Sequence, residues 1–319
     1  MVEWKDGIAK IVIPTPFPVG DVNVYVVKGD RLTLIDVGPK TDLAWEALNI
    51  QLKDLGLVAK DIEQVVLTHH HPDHAGLLEY FPDSLDVYGH QLNERWLFRT
   101  KEFLEEHDQF YFGLFKEFGV PEQYFPLIGA LKKTLRYACN RPLTGQLKEG
   151  DSLLGMENWT VIETPGHAQS HIGLLREKDG VFIAGDLLLA HISPNPLIEP
   201  PLPGTHKRPK SLLQYNESLN KLKSLPVQLL YAGHGEEIIR VNELIDKRLL
   251  QQHERAMKVK NWLKEEPLTV FEICRRLFPK VYEKELSLTI SETIAQLDYL
   301  QSLGEINVNK EQAAFLYYV

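Results

Sequence analysis

Short apolar runs alternate with helical patterns in residues 1–90 and again in residues 150–245. Each run is followed by a small or polar residue, which is typical of buried β-strands. The runs are residues 32–35, 65–67, 161–162, 181–184 and 229–232. Between the strands, residues 42–55 and 211–225 repeat apolar positions at helical spacing. Because strands and helices mix, the predicted fold class is α/β or α+β.

Residues 91–148 break this pattern. Eleven aromatic side chains lie between Trp96 and Tyr137, and their spacing near 3.6 predicts two or three helices inserted into the main domain. Two interpretations stay open. The helices form a subdomain that packs only on itself, or they form a wall that binds an apolar or acyl part of a substrate.

Residues 246–319 show a third pattern. It predicts three helices, at residues 246–264, 268–278 and 287–303, followed by hairpin strands at 305–309 and 313–319 around a turn at 310–312. Thr269 is the predicted N-cap of the second helix. This order resembles a winged helix. We therefore predict a catalytic domain at 1–245, containing the insertion, and a winged-helix-like domain at 246–319.

The charge of the chain is unevenly distributed. The 319 residues have an ordinary globular composition, with 44% hydrophobic and 25% charged residues. Residues 246–319 hold 11 Lys/Arg and 11 Asp/Glu, so the formal net charge of −9 lies in the first 245 residues. An acidic catalytic domain does not attract polyphosphate at long range. This distribution weighs against a nucleic-acid substrate without excluding one.

Cysteine usage and hydropathy indicate the compartment. Cys139 and Cys274 lie far apart and suggest a reducing environment without a disulfide framework. The first ten residues carry several charges, and no apolar signal-peptide core follows them. No apolar run approaches the roughly 18 residues of a membrane helix. We predict a cytoplasmic protein without a membrane segment.

A dense cluster of metal-binding side chains follows the predicted strand at 65–67. The segment is Thr68-His69-His70-His71-Pro72-Asp73-His74. In an extended segment residues i and i+2 point the same way, so His69 and His71 can bind one ion. Asp73 and His74, one turn onward, can face a second ion. Imidazole and carboxylate ligands suit zinc and related divalent metals.

Three more candidate ligands follow later strands. His167, Asp186 and His234 each come directly after a glycine, at Gly166, Gly185 and Gly233. Glycine lets the backbone turn sharply and approach an ion closely. These positions complete a set of seven candidate ligands.

The whole pattern resembles that of the metallo-β-lactamase superfamily over roughly residues 8–245. It consists of His-x-His-x-Asp-His, then a lone His, a lone Asp and a lone His. The resemblance implies an αββα sandwich that binds two divalent ions, expected to be Zn²⁺, with Mn²⁺ or Fe²⁺ as alternatives. It implies the following ligands: His69, His71 and His167 for the first ion, Asp73, His74 and His234 for the second, and Asp186 as the bridge.

The resemblance also assigns supporting roles. Asp36 matches an aspartate that orients the ligand loop, and His171 matches a histidine that supports the ligands rather than binding metal. His70 is expected to point away from the ions. Separately from the resemblance, His191 follows Asp186 by five residues, so we predict that its loop reaches the rim of the site and that His191 contacts substrate. His107 has no ligand context.

The expected reaction is hydrolysis. Two ions lower the pKa of a bridging water, and the resulting hydroxide attacks a carbonyl carbon or phosphorus, with Asp73 as a proton acceptor. The bridging Asp186 is typical of glyoxalase II-like enzymes, whereas many zinc β-lactamases carry Cys in that region. His71 stands where flavodiiron proteins carry a carboxylate. We therefore predict a carbonyl ester-type hydrolase of small molecules, with thioesters or lactones as substrates.

The first alternative is an endoribonuclease acting on single-stranded RNA, because lactamase-like endoribonucleases resemble this chain in their domain order. The Pro194–Pro209 segment is predicted to be a surface loop, and a basic stretch begins at its end. Its cations are Lys207, Arg208, Lys210, Lys221 and Lys223. Against RNA, Ser287–Leu303 contains Glu292 and Asp298 but no Lys or Arg.

A second alternative is a non-catalytic regulatory protein, which the winged helix suggests and the complete ligand set opposes. For the C-terminal domain two further roles stay open: it packs beside the active site, or it mediates formation of a homodimer.

Overall fold

Two β-sheets pack face to face in a computed structural model, which describes residues 1–311 and 314–319, apart from the side chains of residues 130–133. The first sheet has the order β1-β2-β3-β4-β5-β6, with β1 to β3 antiparallel and β3 to β6 parallel. Its strands are β1 Ile8–Ile13, β2 Val22–Val27, β3 Thr33–Ile35, β4 Gln64–Leu67, β5 Asp86–His90 and β6 Gly145–Leu147.

The second sheet has the order β11-β10-β9-β8-β7. Only β10 and β11 are parallel, while the other neighbours are antiparallel. Its strands are β7 Ser152–Leu153, β8 Met156–Glu163, β9 Ile172–Arg176, β10 Val181–Ile183 and β11 Leu229–Tyr231. All five strands predicted from the apolar runs are therefore confirmed.

Helices cover the outer faces of both sheets. The α-helices are α1 Asp42–Asp54, α2 Pro72–Ala75, α3 Glu94–Leu97, α4 Lys101–Glu117, α5 Pro126–Leu131, α6 Ser211–Ser224, α7 Val241–Leu263, α8 Val270–Leu277 and α9 Leu286–Ser302. Short 3-10 helices lie at Ala59–Asp61, Gly76–Tyr80, Gln91–Asn93, Glu122–Tyr124 and Lys132–Tyr137. None of the described helices is long and apolar enough to span a membrane.

Apolar side chains form layers between these elements. Residues such as Val66 and Ile172 fill the space between the two sheets. Leu48 of α1 packs on the outer face of the first sheet, and Leu219 of α6 packs on the outer face of the second. The result is the predicted αββα sandwich. Each ligand-bearing loop follows the carboxyl end of a strand: β4, β8, β10 or β11.

The insertion does not pack only on itself, so that interpretation is wrong. Phe115 and Phe118 of the insertion share one buried core with Ile290 and Ile294 of α9. The backbone N–H of Phe271 donates to the carbonyl of Phe118 at 3.0 Å. The strand β6 lies inside the predicted insertion 91–148 but belongs to the first sheet.

The C-terminal region contains the three predicted helices and the predicted hairpin. Its strands β12 Asn307–Glu311 and β13 Ala314–Tyr318 pair antiparallel, and the predicted turn lies partly outside the described residues. Thr269 caps α8 in a capping box with Glu272, as predicted. The helix α7 begins at Val241 and crosses the predicted domain boundary at 245/246. The two-domain division and the winged-helix class stay predictions.

The shared core predicts that the insertion and the C-terminal helices unfold together. Phe271 is 5% exposed, and its ring lies 5.4 Å from that of Tyr124 in the insertion. We expect Phe271→Ala to lower the free energy of unfolding by about 3–5 kcal/mol, measured by denaturant titration. Phe98 is 55% exposed, so the control Phe98→Ala should lose about 0.5 kcal/mol or less. Equal losses in both variants would contradict a shared core.

Candidate metal centre

Four loops bring the seven candidate ligands into one small volume. His69 follows β4, and the short helix α2 carries Asp73 and His74 one turn further on. The remaining ligands come from the loops after β8, β10 and β11, and they are His167, Asp186 and His234. Six of the seven are buried, and His71 is partly exposed.

The seven side chains form three overlapping groups that can each hold an ion. The groups are His69/His71/His167, His69/His74/Asp186 and Asp73/His74/His234. Within each group the ligand atoms lie within 4.8 Å of one another. The first and last groups are the two ligand sets that the family resemblance implies.

Asp186 lies between the two sets. Its Oδ1 is 3.4 Å from Nε2 of His74, and its Oδ2 is 3.5 Å from Nε2 of His167 and 3.6 Å from Nε2 of His234. One carboxylate thus faces imidazoles from both sets. This is the position that a bridging ligand requires.

Buried polar atoms without a hydrogen-bond partner indicate what the site could bind. Nε2 of His74, His167 and His234 and Oδ1 of Asp186 are buried and have no hydrogen-bond partner. Leaving such atoms unpaired costs free energy, on the order of 1–3 kcal/mol each. A divalent cation would accept the lone pairs of all four atoms. The residues present therefore fit a metal site.

The opposite nitrogen of each of these imidazoles is fixed by a hydrogen bond. Nδ1 of His74 lies 2.8 Å from Oδ2 of Asp36. Nδ1 of His167 donates to the carbonyl of Asn195 at 2.9 Å, and Nδ1 of His234 donates to the carbonyl of Asp21 at 2.7 Å. Such partners set the tautomer, so that Nε2 presents its lone pair to the site.

Asp36 forms several hydrogen bonds with the first ligand loop. Its carboxylate accepts hydrogen bonds from the backbone N–H and the hydroxyl of Thr68, both at 2.8 Å, in addition to the contact with His74. The Thr68 hydroxyl in turn lies 3.0 Å from Nδ1 of His69. Asp36 adopts a left-handed backbone conformation with φ of 58°, which a short polar side chain tolerates better than most.

Glycines allow the loops to approach one another. A Cβ at Gly233 would lie 2.3 Å from Oδ1 of Asp186. Gly185 has a φ of 46°, and a Cβ there would lie 2.6 Å from the hydroxyl oxygen of Thr68. A side chain at either position would displace a ligand or its support, which explains glycine beside the ligands.

The buried carboxylates and imidazoles shift one another's pKa values. Burial and the neighbouring imidazoles lower the pKa of His69 and His71 well below the usual value, which keeps both neutral. Burial would also lower the pKa of His74, but the carboxylates of Asp186 and Asp36 raise it well above the usual value. Burial would raise the pKa of Asp186, yet His234 and His74 hold it well below its usual range. A charged carboxylate among basic nitrogens is a cation-binding environment.

Comparison with known proteins decides the family. A model of the metallo-β-lactamase superfamily matches residues 17–234. The Bacillus subtilis protein "Probable metallo-hydrolase YqjP" is 46% identical over 297 residues, which is 93% of each chain. The chain belongs to the metallo-β-lactamase superfamily.

Two further comparisons extend this assignment. A metallo-beta-lactamase family protein from Thermus thermophilus superposes with a TM-score of 0.81 at 29% identity, covering 98% of this chain and 99% of that one. The thioesterase pkgB from Emericella nidulans is 24% identical over 268 residues, which is 81% of this chain and 60% of its own length. The superposition on the Thermus thermophilus protein includes the C-terminal region, which the superfamily model does not match.

The remaining predicted site residues lie around this metallo-β-lactamase centre. His171 is in none of the three groups. Its Nε2 accepts a hydrogen bond from the backbone N–H of Asp186 at 3.0 Å, and its role in supporting a bridging Asp186 stays a prediction. The exposed His191 lies beside Gly235 in the loop that carries His234. Its contact with substrate stays a prediction.

A pocket beside the metal centre was not predicted in detail. It has a volume of about 140 Å³ and is lined by His70, His71 and Pro72 of the first ligand loop. The rest of its wall comes from the insertion and from the loop after β10, and includes Trp96, His107, Tyr111, Leu135, Ala138, Leu197, Ile198 and Glu199. Most of this lining is apolar. The aromatic density of the insertion was the only sequence signal for it.

Two parts of this pocket depend on contacts that the sequence analysis did not predict. His70 points away from the metal groups but is buried, and it stacks on Trp96 with ring centroids 4.6 Å apart and an interplanar angle of 5°. The segment predicted as a surface loop at Pro194–Pro209 is buried in its first half, where Glu199 accepts hydrogen bonds from Trp96 and Gln169. Burial raises the pKa of Glu199. Both residues use tertiary contacts that no local pattern reveals.

The contacts of Asp36 generate a prediction about metal affinity. In Asp36→Asn one acceptor oxygen is replaced by an N–H₂ group, so the three hydrogen bonds to Thr68 and His74 cannot all persist. We expect zinc affinity to fall about 10–100-fold with the fold retained. The measurement is competition with a chelating dye, with circular dichroism to check the fold.

The matched control is Asp21→Asn, because exposed Asp21 contacts His234 through its backbone carbonyl. Its zinc affinity should equal that of the wild type. Unchanged affinity in the folded Asp36 variant would refute the assigned role.

Proposed function

We propose that this metallo-hydrolase uses two metal ions to cleave carbonyl esters of small molecules, with thioesters and lactones as the substrate class. The observation that carries the proposal is the largely apolar pocket that the candidate ligand His71 helps to line. A substrate carbonyl at the metal centre would place its acyl group in this pocket. The bridging position of Asp186 also supports the predicted kinship with glyoxalase II-like enzymes.

The ligand geometry supports two ions rather than one. The groups His69/His71/His167 and Asp73/His74/His234 share no residue, and Asp186 faces both of them. Each group supplies three ligand atoms, and the carboxylate of Asp186 supplies a fourth. Four N and O ligands match the coordination that Zn²⁺ prefers.

The chain's own residues divide the chemical work. When bound, two divalent ions supply a water of lowered pKa and polarise the substrate carbonyl. Asp73 is 8% exposed, and its Oδ2 lies 3.5 Å from Nε2 of His234. We assign to this carboxylate the acceptance of the proton carried by the attacking hydroxide, which then passes to the leaving group as the bond between the carbonyl carbon and the leaving group breaks. The hydrogen bonds that the imidazoles donate to Asp36, Asn195 and Asp21 hold the rings in place throughout.

The pocket chemistry supports an acyl group over a phosphate. Among the lining residues whose side chains the structure describes, none is Lys or Arg. A phosphodiester would need cationic partners here. A short apolar acyl group needs none. A relative named a thioesterase, pkgB, agrees with this substrate class.

The contacts of the C-terminal helix disfavour the endoribonuclease alternative. The helix α9, where a winged helix would present its recognition surface, is buried along most of its length. Arg208 of the basic stretch forms a bidentate ion pair with Asp298 of α9 at 2.6 and 2.9 Å. Glu292 of the same helix is paired with Arg255 at 2.5 Å. These groups are therefore engaged inside the protein rather than available to RNA.

The two-ion proposal predicts the effect of losing the bridge. Because Asp186 faces both ligand groups, Asp186→Ala should reduce binding of both ions and activity together. Elemental analysis of wild-type protein purified without chelator should approach two equivalents per chain. A wild type that stays at one equivalent after metal supplementation would contradict the two-ion proposal. A variant with full occupancy and full turnover would contradict the bridge.

The substrate proposal predicts a clear preference in a direct screen. Metal-loaded protein should hydrolyse an acyl thioester or a lactone, and it should leave a fluorescent single-stranded RNA uncut at the same enzyme concentration. The variant Asp73→Ala is the control for contaminating enzymes. RNA cleavage by the wild type that disappears in Asp73→Ala would favour the endoribonuclease instead. Anisotropy across a salt series adds a binding measurement, since phosphate contacts weaken steeply with salt.

A further inference from the structure

We infer that Tyr111 and Ile198 form the floor of the acyl pocket and limit the acyl group to about six carbon atoms. The inference rests on the proposed function and adds a chain-length limit to it. Tyr111 comes from α4 of the insertion, and Ile198 comes from the loop after β10.

The volume of the pocket sets the limit. A drug-sized ligand usually occupies about 300–1,000 Å³, so a pocket of about 140 Å³ holds only part of a substrate. An apolar cavity of about 150 Å³ in another protein binds benzene, which has six carbons. The part that lies here is therefore short, and the leaving group must lie outside.

The Tyr111 ring separates the pocket from a smaller cavity behind it, and a hydrogen bond joins Tyr111 to the other residue of the floor. The Tyr111 hydroxyl donates to the carbonyl of Ile198 at 2.5 Å, and this links the insertion to the loop. Burial raises the pKa of Tyr111, so the hydroxyl keeps its proton. The ring of His107 lies 4.6 Å from that of Tyr111 and supports it from one side.

A second, smaller cavity lies behind this floor. It has a volume of about 10 Å³ and is lined by Tyr111 and Ile198 together with Leu114, Phe118 and Ile290. Tyr111 and Ile198 therefore have one cavity on each side. Removing the Tyr111 ring would join the two spaces into one longer apolar channel.

The C-terminal helix provides the back wall. Ile290 of α9 lines the small cavity, and the Ser291 hydroxyl accepts a hydrogen bond from the backbone N–H of Ile198 at 3.2 Å. The depth of the pocket thus depends on how α9 packs against the insertion. This gives the C-terminal region a function at the active site without any nucleic-acid contact.

The test compares acyl thioesters of 2 to about 12 carbons in three proteins. In the wild type kcat/KM should rise up to about six carbons and then fall. In Tyr111→Ala the optimum should move to longer chains, with kcat/KM for a ten-carbon substrate about tenfold or more above the wild type, because each buried methylene contributes about fourfold. The control Tyr111→Phe keeps the ring and loses only the hydroxyl, so it should keep the wild-type optimum. The same optimum in Tyr111→Ala as in the wild type would overturn the inference.

A second variant guards against misfolding of Tyr111→Ala. Leu135 is only partly buried and lines the pocket, so Leu135→Phe should fill it with little strain. We expect this variant to lose activity on six-carbon substrates about tenfold while two-carbon substrates are unaffected. Equal effects on both lengths would place the acyl group elsewhere.

A binding measurement separates this inference from the proposed function. Calorimetric titration of the metal-loaded proteins with n-alkanols of increasing length needs no hydrolysis. A length limit that shifts in Tyr111→Ala, in a protein that cleaves neither thioesters nor lactones, would support the floor and refute the proposed function. If the protein hydrolyses thioesters and Tyr111→Ala shifts neither the chain-length limit for hydrolysis nor that for alkanol binding, the proposed function is supported and the floor is refuted.

Discussion

The burial of several ionisable side chains in one small volume is the constraint on which the rest of the structure depends. Isolated buried charges are costly, so the carboxylates of Asp36, Asp73 and Asp186 require positive charge beside them. The imidazoles alone meet this need only by taking up protons, which a divalent ion replaces. Such a cluster must be rigid, since a shift of one loop would unpair the others. Loops that follow four strands of one sandwich supply that rigidity.

The sequence predicted the features that depend on local rules. Strand runs and helix spacing follow from the side-chain period, and the Thr269 cap follows from hydrogen bonds within four residues. The ligand segment was predictable because all its members lie within seven residues. The stacking of His70 on Trp96 and the contacts of Glu199 were not predictable, because they join segments far apart in the chain. The aromatic pattern of the insertion predicted helices that pack on themselves or bind substrate, but it could not identify α9 as their partner.

The C-terminal helix is connected to the metal centre by two hydrogen bonds. Nδ1 of His167 donates to the carbonyl of Asn195, and the side-chain amide of Asn195 donates to the carbonyl of Leu288 at the start of α9. The same helix pairs its buried acids with Arg208 and Arg255. The absence of Lys and Arg from α9 therefore has a structural explanation. Asp298 and Glu292 of α9 are paired with Arg208 and Arg255 on neighbouring segments. A Lys or Arg on α9 would repel these two arginines.

These contacts divide the site into two parts that meet at few residues. The sandwich positions the ligands, whereas the insertion and α9 shape the pocket, and His71 is the one candidate ligand among the pocket residues that the structure describes. A change at Tyr111 or Leu135 lies outside the hydrogen bonds that fix the imidazoles. Pocket shape can therefore vary while the metal centre stays intact. Substitution of Trp96 is more constrained, because Trp96 contacts residues next to the ligands. It stacks on His70, which lies between two candidate ligands. It also donates a hydrogen bond to Glu199, whose other partner Gln169 lies two residues from His167. Trp96 therefore couples substrate fit to metal geometry although it is not itself a candidate ligand.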